Sequence, residues 1–124
     1  MSATILYVED DPHNMRLICR ILEQQGFRMV KAINGTEGVQ MATQEKPDLI
    51  LMDINLPDID GLEATAQIKA NPDLQSIPVI ALTAHANYGD EERALAAGCD
   101  GYIAKPVSRR KLTKQITQHL NIAD

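Results

Sequence analysis

The sequence is poor in aromatic residues, since its 124 positions include no tryptophan and a single phenylalanine. Such a chain offers no platform on which nucleic-acid bases could stack. Its net charge is -5, and an acidic protein lacks the basic surface that binds phosphate backbones. We therefore expect no direct binding to nucleic acid.

Cysteine is also scarce, and Cys19 and Cys99 stand far apart in the chain. Neither belongs to a C-x-x-C pair or to a Cys/His spacing typical of zinc sites. We expect two reduced thiols, as is usual inside cells, rather than a disulfide or a zinc site.

The sequence has no long apolar segment. No run approaches the roughly 20 apolar residues that a membrane helix requires, and Met1–Thr4 is too short for a signal peptide. Hydrophobic residues make up 44% of the chain and charged residues 23%, which is the balance of a globular protein. We expect residues 1–124 to form one cytoplasmic domain, with no membrane segment and no room for an effector domain.

Short apolar runs alternate with segments of helical character. The runs predict β-strands at Thr4–Glu9, Phe27–Ala32, Leu49–Met52, Pro78–Thr83 and Gly101–Lys105. The helix after the first strand begins at the N-cap Asp11, and its period predicts an inward face of Asn14, Leu17, Ile18, Ile21 and Leu22. Met15 then falls on the outer flank. Further helices are predicted at Thr36–Glu45, at Leu62–Ala70, at Asp90–Ala97 and around Leu112, Ile116 and Leu120.

The helix at Asp90–Ala97 differs from the others in its small apolar face. Only Ala94, Leu95 and Ala97 are predicted to point inward, and Gly98 is its predicted end. A helix with so little apolar surface is weakly anchored, so we expect it to be mobile.

Alternating strands and helices predict an α/β fold with a parallel sheet and right-handed crossovers. The first, third and fourth strands are the most apolar and are therefore predicted to be central, while the two more polar strands form the edges. This pattern fits an open, flavodoxin-like (βα)5 sheet in the order 2-1-3-4-5, with helices on both faces.

Polar residues end four of the five predicted strands, and all these ends share one edge of the sheet. They are Glu9 with Asp10, Asp53, Thr83 and Lys105. Three carboxylates in one place repel each other unless a cation is bound, and an all-oxygen ligand set favours Mg²⁺. A hydroxyl and an ammonium beside such a metal suit a phosphoryl group, with Asp53 as the attacking nucleophile.

The motifs at these positions resemble those of the receiver domains of two-component response regulators, over essentially the whole chain. They are the acidic pair of YVED, the D-x-x-x-P of DINLP with Gly61, the Thr-Ala of LTAHA, and the tyrosine and Lys-Pro of GYIAKP. The chain is most similar to stand-alone, single-domain receivers of the DivK type, which also have Glu-Asp in place of the commoner Asp-Asp.

The resemblance implies a role for each site residue. Asp53 accepts a phosphoryl group from phosphohistidine, and the chain catalyses only its own phosphorylation and dephosphorylation. Mg²⁺ is bound by Asp10, by Asp53 and by the backbone carbonyl of Asn55, with Glu9 contributing through water. Thr83 and Lys105 contact phosphoryl oxygens, and a cis Lys105-Pro106 bond aims the lysine.

Tyr102 is the switch aromatic that the resemblance implies, although an ordinary edge-strand tyrosine would also fit its position. The implied partners are a histidine kinase or histidine phosphotransfer protein as donor and a downstream protein as target. We expect the donor to touch His13 and Met15. The target would contact Tyr102 and a basic cluster formed by Arg109, Arg110, Lys111 and Lys114. For such cations the default interpretation is a solvated surface.

Two alternative classes of protein remain for this site. An Asp-nucleophile phosphatase would need a second aspartate where Asn55 stands, which makes that class the weaker hypothesis. A receiver-like interaction module without obligatory phosphorylation is the other alternative class. His13, His85 and His119 have no metal-ligand spacing and are predicted to be surface residues.

Overall fold

The computed structural model describes residues 3–56, 58–83 and 89–120. Its strands are β1 (Thr4–Val8), β2 (Arg28–Ala32), β3 (Leu49–Asp53), β4 (Val79–Thr83) and β5 (Gly101–Ala104). Its helices are α1 (Pro12–Gln24), α2 (Gly35–Glu45), α3 (Gly61–Ala70), α4 (Asp90–Ala97) and α5 (Arg109–Leu120). Each predicted element is present, and the predicted bounds differ from these by few residues because propensity defines element ends poorly.

The five strands form one parallel sheet in the order β2-β1-β3-β4-β5, which confirms the predicted topology. β3 and β4 are buried at every residue, whereas β2 and β5 are partly exposed. This burial explains why polarity separates central strands from edge strands in the sequence: a strand covered on both faces must be apolar throughout.

Two apolar layers lie on opposite faces of the sheet. On one face, alternate strand residues pack against α1 and α5 through side chains such as Ile18, Leu112 and Ile116. On the other face, the intervening strand residues pack against α2, α3 and α4 through side chains such as Ala42, Ile68 and Ala94. Helices therefore cover both faces, as predicted.

The inward face of α1 was predicted only in part: Ile18 and Leu22 are buried as predicted, and Leu17 is not. Its buried residues are Met15, Ile18, Cys19 and Leu22, while Leu17 is 46% exposed. The sulfur side chains of Met15 and Cys19 lie 3.6 Å apart in the core, so the helix is turned by about one residue from the predicted orientation. Met15 is only 9% exposed and does not present the outer surface that we had assigned to it.

The bounds of α4 and its small buried surface agree with the prediction, but one residue that was predicted to point inward is exposed. Ala94 is fully buried and Ala97 is partly buried, whereas Leu95 is 52% exposed. The helix begins after Gly89, which offers no side-chain cap, and ends at Gly98 with φ 108°. The mobility of α4 stays a prediction.

The two cysteines lie in different apolar layers. Cys19 packs with α1 and the strand residues of that face, whereas Cys99 lies in the opposite layer, 3.8 Å from the hydroxyl of Thr65. Both are free, as predicted. Burial raises the pKa of each thiol above its usual value.

Of the three histidines, His13 is exposed as predicted and His85 lies outside the described residues. His119 is partly buried, which corrects the prediction of a surface residue. Its ring nitrogens lie 2.8 Å from the carbonyl oxygen of Gln115 and 3.0 Å from that of Asp100. The ring thus joins the last turn of α5 to the segment before β5.

None of the helices in the described part of the chain has the length and apolar character needed to cross a membrane.

Lys69 joins three segments at the amino-terminal edge of the sheet. Its ammonium donates to the carbonyl oxygens of Gln75 and Ile77 at 3.1 and 2.7 Å, and to the carboxylate of Asp100 at 2.9 Å. Asp100 also accepts from the amide of Val79 at 2.9 Å. The three donors of the ammonium are therefore used to connect α3, the start of β4 and the segment that follows α4.

We expect Lys69→Met to lower the free energy of unfolding by roughly 2 kcal/mol, because charge-assisted hydrogen bonds to partly buried groups are lost. Urea denaturation measures this change. The control Lys114→Met removes an exposed helical lysine and should stay within about 0.5 kcal/mol of the native protein. Equal losses in both variants would show that the three bonds of Lys69 add no stability.

Candidate functional site

The carboxyl edge of the sheet brings the predicted site residues together. Val8 pairs with Met52. Glu9, which follows β1, and Asp53, which ends β3, therefore lie side by side. Thr83 ends β4 opposite Ala104, and Lys105 follows directly. Parallel pairing thus places residues from four distant parts of the sequence at one edge.

Glu9, Asp10 and Asp53 form an acidic cluster in which one oxygen from each residue lies within 4.8 Å of the others. Glu9 is 1% exposed and Asp53 is 3% exposed, whereas Asp10 lies at the surface. Two of the three carboxylates are therefore withdrawn from water, and the third marks the open side of the site.

Lys105 supplies the positive charge that faces this cluster. Its Nζ lies 2.9 Å from Oε1 of Glu9 and 3.2 Å from Oδ2 of Asp53. The amide of Lys105 donates to the carbonyl oxygen of Thr83 at 2.6 Å, which fixes the backbone beside β4. The Lys105-Pro106 peptide bond is cis, as the resemblance implied.

The three charged groups shift one another's protonation. Burial, followed by the hydrogen bond with Glu9, raises the pKa of Asp53 to about 6. Burial also acts to raise the pKa of Glu9, but hydrogen bonds with Asp53, Lys105 and Tyr7 outweigh it and hold that pKa below its ordinary value. For Lys105, the two acids outweigh burial and raise its pKa. The ammonium therefore stays charged. Of the two buried acids, Asp53 is the one whose ionised form is disfavoured.

Tyr7 is a site residue that the sequence analysis missed. Its buried hydroxyl donates to Oε1 of Glu9 at 2.8 Å, and burial together with Glu9 raises the pKa of the phenol well above its usual value. Tyr7 holds the Glu9 carboxylate from within the core. Its position two residues before Glu9, on the same face of one strand, was the signal that could have identified it.

The segment between β3 and α3 is held close to Asp53. The amide of Asn55 donates to Oδ1 of Asp53 at 2.9 Å, and the amide of Gly61 donates to the carbonyl oxygen of Ile54 at 3.1 Å. A Cβ at Gly61 would overlap the carbonyl oxygen of Asp53. Glycine is therefore required where α3 begins, because the backbone passes directly against the end of β3.

The donor atoms of this edge fit a hard divalent cation. They are carboxylate oxygens of Glu9, Asp10 and Asp53, and the backbone carbonyl of Asn55 belongs to the adjoining segment. Oxygen-only sets with one or two carboxylates in direct contact suit Mg²⁺. The buried acids explain why such a cation would be favourable here, since Lys105 alone compensates three negative charges incompletely.

Tyr102 lies close to this edge, in β5. It pairs with Ala81, two residues before the Thr83–Ala104 pair, so Tyr102 and Thr83 occupy the same face of the sheet. The ring is partly buried and packs against the layer that contains α4. The ring borders an open cleft of about 420 Å³, which is lined by β5 and α5 residues that include Lys111 and Lys114.

Comparison with known proteins identifies the class. The family model for the response regulator receiver domain matches residues 5–117. The chain therefore belongs to the response regulator receiver domain family.

Individual relatives are consistent with this assignment. The chain is 42% identical to the polar-differentiation response regulator DivK of Brucella anthropi, over 99% of this chain and 100% of that one. DivK of Brucella abortus has the same identity and coverage. These matches confirm the predicted likeness to DivK-type receivers.

Two solved receiver domains of histidine kinases share the fold. One, from Pseudomonas aeruginosa, is 38% identical with a TM-score of 0.91 and covers 98% of this chain and 99% of its own. It is described with a magnesium ion coordinated in the active site cleft. The other, from Syntrophus aciditrophicus, is 35% identical with a TM-score of 0.90 and covers 97% of this chain and 91% of its own.

We expect Asp10→Asn to raise the dissociation constant for Mg²⁺ at least roughly tenfold, because one anionic ligand is lost. Calorimetric titration with MgCl₂ measures the constant. Asp11→Asn is the matched control: it removes the same charge one residue away and keeps a side chain that can accept from His13 as the cap of α1. Similar losses of Mg²⁺ affinity in both variants would mean that Asp10 acts only through its negative charge and not as a ligand.

Proposed function

We propose that this protein is a cytoplasmic phosphoryl-accepting switch of a two-component phosphorelay. Asp53 takes the phosphoryl group from a phosphohistidine with the help of Mg²⁺. The single observation that carries this proposal is the arrangement of Lys105 against Asp53 and Glu9, at 3.2 and 2.9 Å. Among receivers, this combination of a strand-end aspartate, an acidic pair and a lysine is the means of accepting a phosphoryl group.

In the proposed reaction, a carboxylate oxygen of Asp53 forms a bond to phosphorus while the phosphorus–nitrogen bond of the donor breaks. The electron pair of the broken bond stays on the nitrogen of the donor imidazole. Lys105 pairs with a phosphoryl oxygen and Thr83 donates its hydroxyl to another, which stabilises charge as it develops. Mg²⁺, when bound, neutralises further phosphoryl charge. Attack by water on the acyl phosphate later returns Asp53 and phosphate, so the chain catalyses only its own turnover.

The proposed signal is a change in packing around Thr83 and Tyr102. Both side chains belong to the same face of the sheet, two register positions apart. A phosphoryl oxygen that draws Thr83 towards Asp53 would free space for the ring of Tyr102. Since α4 buries little beyond Ala94, its displacement costs little contact. The Thr83 bond supplies the differential interaction that a population shift requires.

The donor surface is proposed on α1, with Leu17 in the place formerly assigned to Met15. Leu17 is 46% exposed and lines a cleft of about 120 Å³ together with Asn14, Lys105 and Val107. Because Lys105 itself borders this cleft, a protein that covers Leu17 would bring its phosphohistidine close to Asp53. A histidine kinase or a histidine phosphotransfer protein would fill this role.

The target surface is proposed on β5 and α5. Tyr102 borders the cleft that also contains Lys111 and Lys114, and Arg109 and Arg110 are exposed nearby. An acidic protein segment would complement these cations and would sense the position of Tyr102. We propose a protein target rather than DNA, in keeping with the net charge of -5.

We expect incubation with acetyl phosphate and Mg²⁺ to add one phosphoryl mass to the native protein and none to Asp53→Asn, because the amide is a poor nucleophile. Intact-protein mass spectrometry measures the product. Asp60→Asn, in the same segment, should be labelled normally. If Asp53→Asn is labelled at the native rate, the proposed acceptor is wrong. If the native protein is never labelled, a receiver-like interaction module becomes the better interpretation.

The donor surface has a separate test. We expect Leu17→Asp to slow transfer from a histidine kinase of the source organism at least roughly tenfold, because an apolar contact would be replaced by a charge. Labelling by acetyl phosphate should be unchanged, since that donor needs no docking. Mass spectrometry follows both reactions.

Two variants serve as controls for Leu17→Asp. Ile33→Asp changes another exposed apolar residue, 57% exposed beyond the edge strand β2, and Arg110→Glu changes the proposed target surface. Both should accept phosphoryl groups normally from either donor. Slow labelling of Leu17→Asp by acetyl phosphate as well would place the defect in the site rather than in docking.

A further inference from the structure

The amino terminus of α2 donates hydrogen bonds to a distant segment of the chain. Asn34, its N-cap, accepts from the amide of Glu37 at 2.8 Å. The amides of Gly35 and Thr36 instead donate to the two carboxylate oxygens of Asp58, at 2.8 and 3.0 Å. Asp58 lies between β3 and α3, so one side chain connects that segment to the first turn of α2.

The carboxylate of Asp58 is held in its ionised form. A hydrogen bond from the side chain of Thr36, with the amides of Thr36, Gly35 and Ile59, keeps its pKa well below the usual range of aspartate. A negative charge at this end of a helix is also favoured by the helix dipole. The connection therefore persists at neutral pH although Asp58 is exposed.

A second contact lies beside the first. A Cβ at Gly35 would come 2.5 Å from Cγ1 of Ile59 and 2.7 Å from its carbonyl oxygen. The backbone of α2 thus abuts the residue that follows Asp58, with no space for a side chain between them. Two adjacent residues of the segment, one by hydrogen bonds and one by close packing, are fixed against the same turn.

The same segment carries the candidate metal ligand Asn55 three residues before Asp58. Near β3 the segment is held by the bond from Asn55 to Asp53 and by that from Gly61 to Ile54. Leu56 and Ile59 of the segment also pack against the apolar layer of this face. Asp58 adds the hydrogen bonds that join the segment to α2.

Helix capping alone does not account for this arrangement. Asn34 already caps α2, and Glu37 accepts from the amide of Ile33, the residue before the cap, at 3.2 Å. Thr36 is exposed, so water could satisfy its amide. What water could not replace is the connection between α2 and the segment next to Asp53.

We propose that Asp58 is a positioning residue for the metal site: by joining the β3–α3 segment to α2, it holds the backbone carbonyl of Asn55 where Mg²⁺ is bound. Its effect on phosphorylation rests on the proposed function, whereas its effect on Mg²⁺ affinity does not. A segment released from α2 has to be ordered when the cation binds, so affinity falls while the reacting groups themselves are intact.

The test compares Asp58→Asn with Asp60→Asn. The amides of Gly35 and Thr36 donate to two carboxylate oxygens of Asp58. Asparagine offers only one acceptor oxygen, and its NH₂ group would face one of these donating amides. Asp60 caps α3 by accepting from Glu63 at 2.8 Å, and asparagine caps equally well. Each variant removes one negative charge from the same segment, but only the first breaks the connection to α2.

We expect the dissociation constant for Mg²⁺ to rise roughly tenfold in Asp58→Asn and to change less than about twofold in Asp60→Asn, by calorimetric titration with MgCl₂. Labelling by acetyl phosphate should be slow in Asp58→Asn at low Mg²⁺ and should recover at saturating Mg²⁺. This recovery separates positioning from general damage, which saturating cation would not repair. Asp58→Glu, which keeps both acceptor oxygens, should restore part of the affinity.

Gly35→Ala approaches the same contact from the other side. Alanine favours a helix more than glycine does, so α2 itself should not weaken, but its Cβ would press on Ile59. We expect weaker Mg²⁺ binding with Asp58 intact. Equal Mg²⁺ affinities for Asp58→Asn and Asp60→Asn would overturn the proposal. A native protein that binds Mg²⁺ but is not labelled would contradict the proposed function and leave this affinity comparison valid.

Discussion

The structure depends on the compensation of negative charge at one edge of a parallel sheet. Parallel pairing forces all strand ends that carry polar residues to the same place, and burial then removes water from Glu9 and Asp53. Lys105 and the hydroxyl of Tyr7 compensate this in part, through contacts of 2.9, 3.2 and 2.8 Å. Incomplete compensation of this kind favours a bound cation, which is the role that we propose for Mg²⁺. The chemistry therefore follows from topology and burial together.

The sheet order and the clustering of Glu9, Asp53, Thr83 and Lys105 were predictable from the sequence because they follow from few constraints. Strands buried on both faces must be apolar, and a parallel sheet aligns all carboxyl ends. The inward face of α1 was not predictable by the same means. Two apolar stripes, offset by about one residue, share Ile18 and Leu22, and the periodic pattern does not decide between Leu17 and Met15. Only packing against the sheet separates them.

Long-range contacts between side chains and backbone were also beyond the sequence analysis. Lys69, Asp58 and His119 resemble ordinary polar surface residues, and no local pattern marks their partners, which are backbone groups of other segments. Any residue type supplies a carbonyl or an amide, so the partner leaves no trace in composition. Such contacts join neighbouring elements here, and one of them lies beside the candidate metal site.

The burial of the two thiols limits their chemistry. Cys19 and Cys99 lie on opposite sides of the sheet, and burial keeps both protonated. Since the thiolate is the form that oxidants attack, neither sulfur is readily converted to a sulfenic acid or to a mixed disulfide while the fold is closed. Oxidation of either sulfur would therefore require the core to open first.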